Sequence, residues 1–302
     1  MKIAIGFWGL TRSLKYTISS IREKILKPLS ENDIEYSIFL HTYFLETEYH
    51  NPRAEEHGNI LDFEEYKLLE PDYVEVDNQD EVKKKLDLHQ YRTFKDPWNS
   101  DYICVDNFIC AMYSKKRLGQ MIEKSGKQFD AYLFVRPDVL FLTEFLPAYL
   151  NLIPDNIVCI PNFQLFPRFN DRMLLCSHEN VFKYTNLFDY LLEYSKRWEL
   201  HSEICQYYLL TGRCKLRIRY IAFHFNRVRA NGAILKDYKP KKSAPWSFTN
   251  LMEKPDNTPR IRRKVEPAPP PLPTQQPVSK NNHRTPLVMN YVSLPFQKKV
   301  VR

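Results

Sequence analysis

The sequence has no CxxC pair, and no histidine stands at a metal-binding spacing from any of its six cysteines. A zinc module or a small disulfide-stapled secreted domain is therefore not expected, and we interpret the cysteines as free, buried thiols in a reducing compartment. An apolar run of about 18 residues is also missing, and the first ten residues, MKIAIGFWGL, do not have the pattern of a signal peptide. We expect a soluble, cytoplasmic protein without a transmembrane segment.

The composition favours one large domain with a tail. The chain has 302 residues, of which 43% are hydrophobic and 14% aromatic, so it can bury a sizeable core. Its formal net charge is +8, but much of the excess lies near the C-terminus, for example at Arg260, Arg262, Arg263 and Lys264. The body of the chain is therefore closer to electrical balance.

Hydrophobic periodicity predicts strands that alternate with helices. The order indicates an α/β domain with a mainly parallel central sheet flanked by helices, and ligands are expected at the carboxyl ends of its strands. Strands are predicted at 2–8, 34–42, 72–77, 129–141, 156–161 and 214–223, and helices from Leu14, at 81–88, at 106–124 and within 179–210.

The composition changes near Lys239, and the segment PAPPPLPTQQP at 267–277 is rich in proline. Such a segment cannot join a helix or the interior of a sheet, so it is predicted to be extended. We place a domain at 1–245 and a basic, Pro-rich tail at 246–302. The tail is either a disordered extension or a segment that binds a partner or wraps the domain.

The stretch FVRPDVLF, residues 134–141, interrupts an apolar strand with Arg136, Pro137 and Asp138. At the end of a central strand, Asp138 could hold a divalent cation that bridges the phosphates of a nucleotide sugar. Arg136 could contact the same phosphates. Alternatively, the two residues form only a local ion pair at the end of the strand.

Seven segments occur in an order that resembles a group of glycosyltransferase-like proteins, most of all the small sugar transferases of chloroviruses. They are IAIGFWGLTRS, FLHTY, DNFICAMYSKKR, FDAYLFVRPDVLF, FNDRMLLCSHENVFKY, HSEICQYYLL and FNRVRANG, and the similarity covers roughly residues 1 to 235. The resemblance implies a GT-A-like fold that uses a nucleotide sugar, and a location in the host cytoplasm if the protein is viral. It also implies that UDP-xylose is a reasonable donor and that the anomeric configuration is inverted.

The same resemblance implies candidate metal ligands. GT-A enzymes bind a metal through the last acid of an Asp-x-Asp motif, which corresponds here to Asp138, while Arg136 replaces the first acid. Mn or Mg is expected, although an arginine can neutralise a diphosphate without a cation. His224 is the candidate late histidine ligand, or else a packed core residue.

Two carboxyl groups are candidates for the base that deprotonates the acceptor hydroxyl. Glu203 matches the position of the base in similar inverting enzymes, although a glutamate in a first helical turn is also favoured by the helix dipole. Asp171 is the second candidate; it could bind the acceptor or the donor sugar, or simply form a turn.

The end of the first strand is expected to bind the donor. It runs into GFWG and not into GxGxxG, so a dinucleotide fingerprint is absent. Gly9, Thr11 and Arg12 are candidates to contact phosphate or uracil. Asp77 is a candidate for ribose or base, or for capping the next helix. Weaker candidates for the same cleft are Asn107, Ser114, Arg92, Asp96 and Trp98, of which Trp98 could stack on a sugar.

The principal hypothesis is transfer of a monosaccharide from a UDP-sugar to a hydroxyl of a glycan acceptor. One alternative is a nucleic-acid or partner-binding module that uses the basic tail, with steeply salt-dependent binding. No RNA-binding aromatic motif is found in the core, so nucleic acid is not the expected partner. A second alternative is an enzyme-like fold without catalysis, which would account for Arg136 in place of an acid.

Overall fold

The computed structural model describes residues 1–239. The predicted tail from residue 246, and the predicted boundary between domain and tail, lie outside the described residues. Twelve strands are present in residues 1–239: β1 (Lys2–Trp8), β2 (Glu35–Phe44), β3 (Tyr49–Asn51), β4 (Glu56–Asn59), β5 (Tyr73–Asn78), β6 (Ala131–Val135), β7 (Val139–Phe141), β8 (Ile157–Pro161), β9 (Met173–Ser177), β10 (Arg217–Ile221), β11 (Phe225–Val228) and β12 (Ile234–Leu235).

Residues 1–239 also contain seven α-helices. They are α1 (Leu14–Ile21), α2 (Lys27–Glu31), α3 (Gln79–Leu86), α4 (Ile103–Lys124), α5 (His178–Thr185), α6 (Leu191–Ser195) and α7 (Ser202–Tyr208). The π-helical turn Arg22–Leu26 joins α1 to α2. Pro28, the second residue of α2, has no N–H to donate to a helical hydrogen bond. No helix among residues 1–239 is both long enough and apolar enough to cross a membrane.

Seven strands form the main sheet in the order β10-β8-β9-β6-β1-β2-β5. Strand β1 is parallel to both β2 and β6, β2 is parallel to β5, and β8 is parallel to β10, whereas β9 is antiparallel to both of its neighbours. The prediction of an α/β domain with a mainly parallel sheet flanked by helices is confirmed. Helices cover the sheet, so β1 is buried almost throughout, as the apolar run KIAIGFW requires.

The prediction of one strand over 129–141 is wrong. Strand β6 leaves the main sheet after Val135, and β7 joins β11 and β12 in a separate three-stranded sheet. Pro137 cannot donate to a ladder, and its carbonyl oxygen instead accepts a hydrogen bond from Thr17 Oγ1 at 2.6 Å. The turn Arg136-Pro137-Asp138 therefore connects two sheets at the carboxyl end of β6.

Strand β9 was not predicted, and the region 179–210, predicted as helical, contains three short helices. The antiparallel register of β9 pairs Val135, the last residue of β6, with Met173, the first residue of β9. The loop before β9 is therefore brought to the end of β6.

Candidate active site

A cavity of about 210 Å³ lies at the carboxyl ends of β1 and β6. One wall comes from α4, through Asn107, Ala111 and Lys115, which are four residues apart and share one helix face. The opposite wall comes from the start of α7. Of the predicted site residues, this cavity brings together Gly9, Arg12, Trp98, Asn107, Arg136, Asp138, Asp171 and Glu203.

Strand pairing explains why residues 136 and 171 meet. Because β9 runs antiparallel to β6, the loop that enters β9 lies beside the turn that leaves β6. The backbone N–H of Arg136 donates to the carbonyl oxygen of Arg172 at 3.1 Å and joins the two loops directly.

Asp138 is buried and is held by two arginines. Arg136 Nε donates to its Oδ1 at 2.8 Å, Arg136 Nη2 donates to its Oδ2, and Arg12 Nη2 donates to the same Oδ2 at 2.8 Å. Burial opposes ionisation of this carboxyl, but the charges of Arg136 and Arg12 outweigh it and hold the pKa of Asp138 well below its usual range. The local Arg136–Asp138 ion pair considered from the sequence is present, with Arg12 as a second partner.

The residues around Asp138 do not fit Mn or Mg. Such hard cations take several oxygen ligands, yet both oxygens of Asp138 accept hydrogen bonds from guanidinium groups, which place positive charge where the ion would bind. Residues 1–239 contain no group of three or more His, Cys, Asp or Glu side chains that could hold a metal ion. We therefore assign no step of a reaction to a cation.

His224, the second predicted metal ligand, does not line the cavity. Its ring stacks on Tyr238 with centroids 3.8 Å apart, and its Nε2 lies 3.0 Å from Asn162 Oδ1. Burial lowers the pKa of His224 to about 4, so the ring is neutral at pH 7. These contacts correspond to the packed core residue considered from the sequence.

Glu203 and Asp171 form a pair of carboxyl groups with different acidities. Burial, reinforced by the negative charge of Asp171, raises the pKa of Glu203 to about 7. Burial acts on Asp171 in the same direction, but the charges of Arg172 and Arg136 lower its pKa, and it accepts a hydrogen bond of 2.5 Å from Ser202 Oγ. A carboxyl group near its midpoint at neutral pH can accept and release a proton during a reaction.

Lys115 also lines the cavity and was missed by the sequence analysis. Its ammonium group lies over the rings of Trp8 at 4.6 Å and Tyr184 at 4.9 Å, and it donates to Gln206 Oε1 at 2.6 Å. Burial lowers the pKa of Lys115 to about 7. Helical spacing from Asn107 and Ala111 is the signal that would have placed it at the site.

The loop after β1 contributes Arg12 to the cavity, but its other candidates are engaged elsewhere. The N–H of Gly9 donates to the carbonyl oxygen of His41 at 3.2 Å and to Ser114 Oγ at 3.0 Å, so it is not available to a phosphate. Gly9 has a φ of +87°, which a residue with a side chain rarely adopts. Thr11 is buried and does not line the cavity.

Asp77 supports this loop from behind. Its Oδ2 lies 3.1 Å from His41 Nε2, and His41 Nδ1 lies 2.8 Å from Ser114 Oγ, the group that also accepts from Gly9. The hydrogen bond with His41 lowers the pKa of Asp77. Asp77 does not line the cavity, and it does not cap α3 either, because Asn78 Oδ1 accepts from the N–H groups of Asp80 and Glu81.

The loop before α4 carries Trp98 to the edge of the cavity. Asp96 fixes this loop, since its carboxylate accepts hydrogen bonds from the N–H groups of Trp98, Ser100 and Tyr102. Arg92 does not line the cavity and pairs with Asp106 at 2.7 Å.

Three rings form an aromatic rim beside Glu203. The ring of Trp98 lies 5.2 Å from that of His201, and His201 stacks on Phe166 with centroids 4.6 Å apart. His201 Nδ1 lies 3.4 Å from Glu203 Oε2, and Phe166 is 45% exposed. We use the name aromatic rim below for Trp98, His201 and Phe166.

No protein-family model and no curated protein matches the chain. Among solved structures, it is similar to mouse xyloside xylosyltransferase 1 in its apo form, at 12% identity and a TM-score of 0.41, over 73% of this chain and 85% of that one. It is also similar to the galactosyltransferase LgtC in complex with donor and acceptor sugar analogs, at 13% identity and a TM-score of 0.36, over 72% and 73% of the two chains. A third similar structure is the apo glycosyltransferase GlyE of Streptococcus pneumoniae, at 11% identity and a TM-score of 0.36, over 70% and 43%. The substrates named for these structures belong to those proteins and are not assigned to this chain.

Proposed function

We propose that the protein is a GT-A-like glycosyltransferase that moves a monosaccharide from a nucleotide diphosphate sugar to a hydroxyl group of a glycan acceptor. One observation carries the proposal: a single cavity at the carboxyl ends of β1 and β6 holds a cluster of arginines beside a carboxyl pair whose pKa values are pushed apart. The arginines suit a diphosphate, and the carboxyl pair suits proton transfer.

In the proposed reaction Glu203 acts as the base. Its carboxylate takes the proton of the acceptor hydroxyl, the oxygen forms a bond to the anomeric carbon, and the bond from that carbon to the diphosphate oxygen breaks. The electron pair of the broken bond leaves with the nucleoside diphosphate, where the arginines neutralise the developing charge. Attack from the side opposite the leaving group inverts the anomeric configuration.

The rest of the site has supporting roles in this proposal. Burial raises the pKa of Glu203 and the ionised Asp171 raises it further, while Asp171 also holds Ser202 at the start of α7. The aromatic rim offers flat apolar faces of the kind on which sugar rings stack, next to the proposed base, so we assign it to the acceptor. Gly9 and Asp77 shape the loop that presents Arg12.

The proposal is tested with a panel of nucleotide sugars in a thermal-shift assay, followed by transfer assays with the donor that stabilises the protein. UDP-xylose heads the panel because the resemblance to chlorovirus sugar transferases implies it as the donor. The identity of the donor stays a prediction. We expect UDP-sugars to raise the melting temperature more than GDP-sugars or UMP do, and an NMR spectrum of the product to show inversion. If no nucleotide sugar stabilises the protein or is turned over, the proposal is wrong.

A further inference from the structure

Basic side chains outnumber acidic ones around the cavity. Lys115 lines it together with six arginines: Arg12, Arg53, Arg136, Arg172, Arg227 and Arg229. The carboxyl groups facing these seven cations are those of Asp138, Asp171 and Glu203 in the lining and of Glu56 and Asp237 directly behind it. The site therefore has an excess of positive charge before any ligand enters.

That excess matches the charge of a sugar donor. Each phosphate in the diphosphate linkage of a nucleotide sugar carries one negative charge. The six arginines exceed the four carboxylates of Asp138, Asp171, Glu56 and Asp237 by two positive charges, and the partial charges of Lys115 and Glu203, whose pKa values both lie at about 7, cancel each other. A bound divalent cation would add two more. The positive charge of the cavity is therefore balanced by a donor that binds without a divalent cation.

Arg172 has side-chain N–H groups without a hydrogen-bond acceptor in the described part of the chain. It is 8% exposed, and its Nε and Nη1 atoms make no hydrogen bond to any of residues 1–239. A buried guanidinium with unused N–H groups is costly unless a ligand accepts from them. Because Arg172 lines the cavity beside Asp171 and Glu203, an anionic ligand there would satisfy these groups.

We infer that the arginine cluster binds the donor diphosphate without a divalent cation, and that Asp138 is a positioning residue that orients Arg136 and Arg12. This inference rests on the proposed function and specifies how its donor is held. Asp138 uses two N–H groups of Arg136 and one of Arg12, which fixes both side chains. Arg12 Nη1 also lies 3.8 Å from Glu56 Oε2, outside hydrogen-bond distance, so the remaining N–H groups of both arginines are left for phosphate oxygens. Guanidinium groups fixed in this way can stabilise the charge on the leaving diphosphate as an ion does elsewhere.

The deciding experiment is calorimetric titration of UDP into the full chain, first in EDTA and then in MnCl₂ or MgCl₂. We expect the same affinity in all three conditions, within about threefold. Binding that requires Mn or Mg, or that becomes about tenfold tighter with either ion, overturns the inference but leaves the proposed function intact. If UDP, GDP, CDP and ADP all fail to bind in every condition, the proposed function fails as well.

Arginine variants test which side chains bind the diphosphate. Arg172→Gln should weaken binding of UDP and of inorganic pyrophosphate in EDTA by about tenfold or more, since a hydrogen bond between charged groups is lost. The matched control is Arg22→Gln, which removes an exposed arginine paired with Glu70 and should leave binding unchanged. Equal binding by Arg172→Gln and the control would contradict the assignment of Arg172.

Asp138 variants test positioning. Asn keeps one oxygen that can accept from an arginine and Ala keeps none, so UDP affinity in EDTA should fall in the order Asp, Asn, Ala. A residue that only stabilises the fold would lower the melting temperature in these variants without changing the UDP affinity of the folded fraction. If Asp138→Ala does not fold, the comparison of EDTA with Mn on the unaltered chain still decides the inference.

Discussion

The carboxyl groups of residues 138, 171 and 203 have three different environments within one cavity. Asp138 is bound by two guanidinium groups, Asp171 lies beside Arg172, and Glu203 is buried with Asp171 as a negatively charged neighbour. Only Glu203 is therefore expected to exchange its proton near neutral pH.

Replacement of Glu203 by Gln keeps its shape and removes its ability to accept a proton. We expect sugar transfer to fall by about 100- to 10,000-fold, with nucleotide binding nearly unchanged, because the base acts on the acceptor and not on the donor. Steady-state transfer assays and UDP titrations measure the two effects. Glu193→Gln, at a partly exposed glutamate paired with Arg197, is the matched control. Transfer by Glu203→Gln at the rate of this control would exclude Glu203 as the base.

The pH dependence of transfer should report the pair of carboxyl groups. A base must be deprotonated to act, so kcat/KM is expected to rise as the pH increases through about 7, the pKa of Glu203. Asp171→Asn removes a negative neighbour, which lowers the pKa of Glu203 and should move this rise to lower pH. Profiles between about pH 5 and 9 provide the measurement. A rise that stays in place, or moves to higher pH, would mean that Asp171 does not set the acidity of the base.

The residues of the candidate site were only partly predictable from the sequence. Asp138, Arg136, Asp171 and Glu203 could be selected because their segments end or begin elements at one edge of the sheet. Their electrostatic environments could not, because Arg12 reaches Asp138 from a position 126 residues earlier in the chain. His224 was selected by resemblance alone, and the structure places it outside the cavity.

At the scale of elements, the aromatic rim brings together three segments that are distant in sequence. Trp98 lies in the loop before α4, Phe166 in the loop between β8 and β9, and His201 directly before α7. If Phe166 provides a stacking face for the acceptor, Phe166→Ala should raise the acceptor KM about 2- to 10-fold and leave UDP binding unchanged. Phe63→Ala is a suitable control, since Phe63 is exposed to a similar degree, 51%, and lies outside the rim. An unchanged acceptor KM would separate the rim from acceptor binding.

The packing of α4 on α5 depends on a helix surface without a side chain at Gly119. A Cβ added there would lie 2.7 Å from Thr185 Cβ, and Thr185 is buried with its Oγ1 bonded to the carbonyl oxygen of Val181. Gly119→Ala should therefore lower the free energy of unfolding by about 1 to 3 kcal/mol.

Gly212→Ala is the control for this substitution. A Cβ at Gly212 meets nothing within 4 Å, so alanine should raise the free energy of unfolding by about 0.4 to 1 kcal/mol. Urea denaturation of both variants measures the two values. If Gly119→Ala is as stable as Gly212→Ala, the close approach of α4 and α5 is not required for stability.

Elements with a clear period were predicted well, and elements without one were not. The helix predicted at 106–124 is observed as α4, and the first strand is observed with its predicted bounds. Strand β9 was missed because MLLCS is short and follows an irregular loop, so neither alternation nor length indicated a strand. This omission matters, because the pairing of β9 with β6 brings Asp171 to the site.

For the whole molecule, charge divides between the described residues and the remainder of the sequence. Residues 240–302 contain 12 Lys and Arg against 3 Asp and Glu, a net charge of +9, while the whole chain carries +8. Residues 1–239 are therefore close to neutral, as expected from the sequence, and seven of their Lys and Arg side chains line the cavity.

Deletion of residues 246–302 should separate catalysis from any polyanion binding. We expect the shortened chain to keep its transfer activity on a small acceptor, because all the proposed site residues lie within 1–239, and to lose any salt-dependent binding to DNA that the full chain shows. Activity assays and DNA titrations at several salt concentrations test this, with the melting temperature as a control for folding. A shortened chain that still binds DNA tightly, or that no longer transfers sugar while remaining folded, would contradict this division.

The amide of Gly9 has a consequence for how the site can vary. Since this N–H group already bonds to His41 and Ser114, Gly9 offers no backbone donor to a ligand, and the cationic groups of the cavity are separate side chains from several loops and helices. Each such side chain is changed by a single codon. Related chains can therefore gain specificity for donors of another charge through single amino-acid substitutions that leave the sheet and its loops unchanged.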